Sequence, residues 1–189
     1  METSAKSPVQ SHYCVFDTAI GPCGIAWGER GLTRLQLPDS DRSATEKRLR
    51  ASAARPNETP PAAIDQVIAN IQCYMTGLSM DFAAAVIDLA GIGEFEREVY
   101  QAARAIPWGR TLNYGELARQ TGAPGAARAV GRALARNPVP IIIPCHRVLA
   151  KGHRIGGFSA PGGIFAKERL LALEGVRVPA GTPLLPGIL

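Results

Sequence analysis

Residues 113–148 read NYGELARQTGAPGAARAVGRALARNPVPIIIPCHRV, and this stretch decides the architecture of the second half of the chain. Asn113 stands three residues before Glu116, the spacing of a capping box, so a helix is predicted from Tyr114 to about Gln120. Thr121-Gly122-Ala123-Pro124-Gly125 ends it as a turn, because Pro124 and Gly125 block continuation. A second helix is predicted over Ala126 to Arg136, stopping before Asn137-Pro138. Helix, short glycine-containing turn and helix together make the outline of a helix-turn-helix. Arg128, Arg132 and Arg136 recur every four residues and share one face, while Ala127, Ala129 and Gly131 keep the helix slim. Such a helix suits close approach to a nucleic-acid groove; the competing reading is a packed helix whose arginines are merely solvated.

The stretch then changes character. Pro138, Pro140 and Pro144 fall within seven residues and forbid both a helix and a central strand, so an apolar backbone follows a fixed path up to Cys145-His146. A thiol reacts as its thiolate, and a neighbouring imidazole or a cation favours that form. By itself the Cys-His pair reads first as a buried structural cysteine.

Outward from this stretch, the charge is unevenly divided. The 189 residues carry a formal charge of +5, with 46% hydrophobic and 20% charged side chains, enough apolar content for a sizeable core. Residues 1–91 hold 8 basic and 10 acidic side chains, residues 92–189 hold 13 and 6, and no acid lies between Glu116 and Glu168. A polyanion is the natural partner of such a stretch, although a solvated basic face has the same composition. No run of 18 apolar residues and no signal-like start occur, so a soluble, intracellular protein without a membrane partner is expected.

The first third alternates as strands do: Tyr13 and Val15, Gly24 to Trp27, a turn at Gly28-Glu29-Arg30-Gly31, then Leu32, Leu35 and Leu37. Arg42 to Ala54 is expected as a surface helix. Ile64, Val67, Ile68, Ile71, Tyr74 and Met75 mark the apolar stripe of a helix starting at Ala62 and closed by Gly77, and that stripe reads as core. Phe82 to Leu89 is expected as a last strand, and Gly91-Ile92-Gly93 as the boundary between two domains, 1–91 and 92–189. A helix over Glu94 to Ala105 is expected to bury Phe95, Val99, Ala102 and Ala103, and another runs from Ile164 to Glu174 before Gly175.

In this company the run Pro144-Cys145-His146-Arg147-Val148, with Asn137-Pro138-Val139-Pro140 and Ala127-Arg128-Ala129-Val130-Gly131 upstream, resembles the O6-alkylguanine-DNA alkyltransferases, or methylated-DNA-protein-cysteine methyltransferases. The likeness is dense from Phe95 to Gly175 and faint before Gly91. It implies an α/β protein: an N-terminal ribonuclease H-like domain, then a mainly helical winged-helix-like domain with the helix-turn-helix. It further implies a DNA repair protein that acts once, flipping O6-alkylguanine, and as a second lesion O4-alkylthymine, out of duplex DNA. Cys145 would take the alkyl group for good. His146 would accept the thiol proton through a water, Glu174 would orient the imidazole, Asn137 would brace the nucleophile's turn and Tyr114 would meet the purine and the rotated phosphate. By the same resemblance the carbonyls of Cys145 and Val148 and the amide of Ser159 read the guanine, with Phe158 beside it. Arg128 fills the vacated stack, and Ala127, Ala129, Gly131, Arg132 and Arg136 lie along double-stranded DNA in the minor groove. The family needs no cofactor, works as a monomer and is expected in the cytoplasm or wherever the genome is.

Three departures from the family pattern stand out. Phe158-Ser159-Ala160-Pro161-Gly162-Gly163 is two residues longer than the usual loop and lacks its tyrosine, which puts pocket width in question; Arg132 and Asn113 replace a frequent Gly and Ser. Binding-only relatives carry Trp where this chain has Cys145. His12, Cys14 and Cys23 are three local candidates for a zinc site that needs four ligands, so no metal is expected. Cys73 lies off its helix's stripe, and His153 sits in a basic turn with a solvated or phosphate-side position expected rather than a catalytic one. A non-enzymatic DNA-binding regulator and a cysteine hydrolase built on Cys145 and His146 remain the competing functions.

Overall fold

The structure is a computed structural model that describes residues 11–51 and 55–177. Met1 to Gln10, the end of the helix expected to reach Ala54, and residues 178–189 lie outside the described residues. The fold is mixed α/β. Strands β1 (His12–Thr18), β2 (Gly21–Gly28), β3 (Gly31–Gln36) and the two-residue β4 (Arg55–Pro56) form one sheet in the order β3-β2-β1-β4, antiparallel except for β1 with β4. β2 is central and buried on both faces. Cys23, Ile25 and Trp27 face the main core, while Gly24 and Ala26 face helix α1 (Arg42–Arg50). A bulge opposite Ala26/Trp27 absorbs one residue of β3, which is why Leu32 and Leu35, three apart in sequence, pack on the same face.

The helix expected after Arg42 forms, capped by Asp41 accepting from the Ala44 amide at 2.8 Å. It is more than a surface element, because Thr45 and Leu49 are buried. Leu49 occupies the space over Gly24, where a Cβ would stand 2.2 Å from its Cδ1. Helix α2 (Ala62–Tyr74) covers the opposite face with the predicted stripe buried, and Gly77, at φ +90°, turns the chain away.

Phe82 to Leu89 does not form the expected strand. Only Ile87 bridges to Leu32, flanked by hydrogen bonds from Leu32 N to Val86 O at 2.9 Å and from Asp88 N to Leu32 O at 2.8 Å. The Asp81 and Asp88 carboxylates each accept from an amide two residues on, at 2.8 and 2.9 Å, and these local turns divert the backbone at both ends. Farther along the same edge of β3, Leu35 N donates to Pro138 O at 2.9 Å. The sheet edge is thereby covered by the proline segment that precedes Cys145.

The second half carries helices α3 (Glu94–Arg104), α4 (Tyr114–Gln120), α5 (Ala127–Ala135) and α6 (Gly163–Leu173), with a small parallel pair β5 (Leu112–Asn113) and β6 (Val148–Leu149). The capping box at Asn113 is complete, Asn113 Oδ1 accepting from Glu116 N at 2.9 Å and Glu116 Oε2 from Asn113 N at 2.6 Å. α3 buries Val99, Tyr100 and Ala103, leaving Phe95 and Ala102 only half-covered against the core. One continuous apolar cluster joins the sheet, α2, α3, α5 and α6. No helix among the described residues is long and apolar enough to cross a membrane.

Candidate active site

Cys145 opens a single 3-10 turn, Cys145–Arg147, immediately after the proline segment. Asn137, just past α5, ties that segment together from one side chain. Its Nδ2 donates to Ile143 O at 2.7 Å and to Cys145 Sγ at 3.1 Å, and its Oδ1 accepts from Val139 N at 3.0 Å. Ile141, within the span so closed, is held at φ +73°, a left-handed backbone that a β-branched residue avoids at a cost of about 1–3 kcal/mol. The surrounding bonds and the burial of Ile141 keep it there. β5 pairs with β6 on the far side of the turn, so the same joint carries Tyr114 at the start of α4 and Cys145 to one place.

The thiol is 6% exposed and opens onto a cavity of about 300 Å³ lined by Phe158, Ser159, Asn137 and Arg136, and by Arg34 and Arg48 from the first half. A larger cavity, about 540 Å³, lies by β1 and α1 and contains Cys14 and Asp65. Chemistry converges on the smaller one. Burial pushes Cys14 up to about 11, with the Asp65 carboxylate adding to the rise, and Cys23 up to about 12. Burial raises Cys145 as well, but the Asn137 amide, the Lys167 ammonium and the amides of Cys145 and His146 all favour its thiolate. The resting group is a thiol that is ready to ionise once a base takes its proton.

His146 is completely buried, and its ring sits in a polar cluster. Its Nε2 lies 2.8 Å from Glu174 Oε1 and 3.1 Å from the Tyr74 hydroxyl, while Nδ1 has no hydrogen-bond partner among the described residues. Burial lowers the imidazole below its ordinary value against the pull of Glu174. Glu174 is the C-cap of α6, and Arg147 grips it with Nε at 2.8 Å from Oε2 and Nη2 at 2.9 Å from Oε1. Gly109 N adds a donor at 3.2 Å, and Arg147 Nη1 reaches Ile106 O at 2.5 Å. Burial alone would raise the Glu174 carboxyl, yet the hydrogen bonds from His146 and Arg147 hold it at about 2.

The remaining predicted residues fall around this centre. Tyr114 is half-buried, and burial together with the nearby Cys145 raises its phenol. Gly156 flanks its ring, where a Cβ would come within 3.3 Å. Val148 O is occupied by Lys167 Nζ at 2.6 Å, so one of its two lone pairs is already used. Phe158 is half-buried in the cavity wall, and the exposed Ser159 donates its hydroxyl to Ala135 O at 2.8 Å, pinning the long loop to the end of α5. Arg128 and Arg132 on α5 and Arg136 at its C-cap are exposed, the last 3.8 Å from Glu96, while Ala127, Ala129 and Gly131 are half-covered. His153 is exposed, 3.4 Å from Thr111 Oγ1. Among the described residues no group of three or more His, Cys, Asp or Glu side chains is placed to hold a metal ion.

Three participants are not legible as such in the sequence. Arg147 belongs to the motif but shows no reason there for burial. Lys167 counts only as charge, yet it is buried 5.7 Å from the Tyr114 ring centroid and lowered by burial to about 8. Tyr74 is indistinguishable from the core stripe of α2.

Residues 94–176 match the family described as 6-O-methylguanine DNA methyltransferase, DNA binding domain. The methylated-DNA--protein-cysteine methyltransferase of Mycobacterium tuberculosis is 38% identical over 170 residues, covering 89% of this chain and 95% of that protein. The chain belongs to the methylated-DNA-protein-cysteine methyltransferase family. A second methyltransferase of the family, from Methanothermobacter thermautotrophicus, is 35% identical over 153 residues, with 81% of this chain and 79% of that protein covered. The crystal structure of the M. tuberculosis O6-methylguanine methyltransferase aligns with a TM-score of 0.70 at 37% identity over 90% of this chain and 96% of that one. The M. tuberculosis OGT in complex with DNA gives 0.69 at 38% identity, covering 89% and 96%. The whole methyltransferase, not only its helical half, thus shares the architecture.

Proposed function

We propose that this methyltransferase repairs O6-alkylguanine in duplex DNA by moving the alkyl group to its own Cys145 in one irreversible turnover. The observation that carries the reading is the pairing of an Asn137-braced thiol with a buried imidazole whose Nε2 is engaged and whose Nδ1 is free. His146 Nδ1 takes the thiol proton through an intervening water. The Cys145 sulfur attacks the alkyl carbon, the S–C bond forms, and the C–O6 bond breaks with its electron pair leaving on the guanine. The Tyr114 hydroxyl meets that developing charge with a hydrogen bond. A thioether has no hydrolytic exit, so the protein is consumed.

O6 is out of reach in a stacked duplex, and the nucleotide has to be turned out at a cost of a few kcal/mol. Arg128 fills the gap from α5 in the minor groove. Ala127, Ala129 and Gly131 permit close approach, while Arg132 and Arg136 contact phosphates irrespective of sequence. The carbonyls of Cys145 and Val148 and the amide of Ser159 read the purine edge, beside Phe158. In this reading a ribonuclease H-like half joins a winged-helix-like half at Gly91-Ile92-Gly93, and one copy acts alone on the duplex.

The test is to incubate the protein with duplex DNA containing O6-methylguanine, digest it and weigh the peptide that contains Cys145. One methyl group per protein molecule is expected, with none on Cys145→Ala. An unmodified peptide from parent protein that still binds the duplex would leave a binder only, and repeated turnover would mean a different enzyme.

A further inference from the structure

α2 belongs to the half of the chain without the nucleophile, yet its last residue reaches the base. The fully buried Tyr74 places its phenol oxygen 2.7 Å from Glu174 Oε1 and 3.1 Å from His146 Nε2. Trp108 and Phe82 hold the ring edge-on, with centroids at 5.2 and 6.1 Å, so the oxygen has little room to move. Donor and acceptor counting then assigns the protons. Burial beside the Glu174 carboxylate raises the phenol, which therefore keeps its hydrogen. That single O–H goes to the carboxylate, which can only accept. Lone pairs are all the oxygen has left for His146, and they are attractive to Nε2 only if Nε2 carries a hydrogen. Glu174 Oε1, 2.8 Å from the same nitrogen, imposes the same condition.

We propose that Tyr74 is a positioning residue for the base: by donating to Glu174 and accepting from His146, its phenol fixes the imidazole proton on Nε2 and leaves Nδ1 bare to receive the proton of Cys145. The inference rests on His146 being the base. Tyr74 also limits how strongly Glu174 draws a proton onto the ring, because its hydroxyl competes for the oxygen that His146 uses. The charged and titratable groups that act on the imidazole are Glu174 and Lys167 from α6 and its end, Arg147 from the 3-10 turn, and Tyr74 from α2. Deleting only the hydroxyl leaves the carboxylate one donor short, its charge bears more fully on the ring, and the imidazole becomes more basic. A more basic imidazole is already protonated, and so unable to act, over a wider range of pH.

The experiment compares parent protein with Tyr74→Phe and His146→Gln. Methyl transfer from O6-methylguanine duplex is timed from about pH 5 to about pH 9, and the ¹⁵N shifts of His146 are recorded. For Tyr74→Phe the acid limb of the rate profile is expected at higher pH, with the rate on that limb falling about tenfold and recovering on its alkaline side, the scale of one lost hydrogen bond to a charged group. The parent's His146 is expected as the Nε2–H tautomer. Should Tyr74→Phe keep the parent's profile and ¹⁵N shifts while His146→Gln is slow, Tyr74 is packing alone and the inference falls, whatever the variant's melting temperature. A parent spectrum showing Nδ1–H overturns it without any variant. If His146→Gln transfers methyl as fast as parent, the base assignment itself fails, and that result is separate from the first.

Discussion

Asn137 joins backbone geometry to chemistry through one amide. Its Nδ2 is shared between Ile143 O, which it fixes, and the Cys145 sulfur, whose negative form it favours. Asn137→Ala is expected to remove both. The buried amide of Val139 loses its partner and the Ile143 carbonyl keeps only the Cys145 amide, at about 1–3 kcal/mol measured by denaturant unfolding. The thiol, already raised by burial, rises further, so thiolate-selective alkylating reagents label it more slowly near neutral pH. Normal labelling in a destabilised variant would restrict Asn137 to the backbone role. Ile141 makes the same link from the other direction. Its left-handed backbone is tolerated because the segment around it is overdetermined by Asn137 and by the Ile143 N to Val139 O bond at 2.9 Å.

The contact between α1 and β2 depends on a glycine. With Leu49 Cδ1 2.2 Å from where a Gly24 Cβ would sit, Gly24→Val is expected to push α1 off the sheet, destabilising by about 1–3 kcal/mol in thermal or denaturant unfolding. Gly24→Val with Leu49→Ala should recover part of the loss; unchanged stability of the single variant would disprove the close approach. Elements governed by local signals are legible in the order of residues alone. The Asn113/Glu116 box starts α4 at Tyr114, and the apolar period of α2 marks its buried face. Phe82 to Leu89 departs from the strand its composition suggests, because alternation says nothing of the turns that Asp81 and Asp88 impose with their own side chains. The motif proposed to carry the chemistry is legible because Asn137, Cys145 and His146 are close in sequence. Tyr74 is not, since a phenol on an apolar stripe looks like core until partners 72 and 100 residues away are brought to it.

Over the whole molecule the buried polar cluster sets a pH dependence of stability. Glu174 titrates at about 2 in the folded protein against an ordinary 4.5, so below about pH 4.5 the unfolded chain binds more protons and stability falls as pH drops toward 2. His146, lowered from 6.5 by burial, adds a loss of the same sign beginning below about pH 6.5. Cys145, raised from 9.0, acts on the other side, its contribution complete below that value and lost above it. Lys167, lowered from 10.5 to about 8, adds stability above about pH 8 and offsets the loss at Cys145, so denaturant midpoints against pH should show a plateau from about pH 7 to about pH 8 with a steep acid flank, and Glu174→Gln should lower the plateau and flatten that flank. A midpoint as high at pH 3 as at pH 7 would contradict the ion-paired cluster. The hydrogen bond from Leu35 to Pro138 reaches beyond stability. A chain trimmed at the glycine joint would still own its sulfur and its imidazole, but the track leading to the sulfur would lie loose along one rail and the imidazole would lose its outside hand. The half that looks like scaffolding is part of the tool.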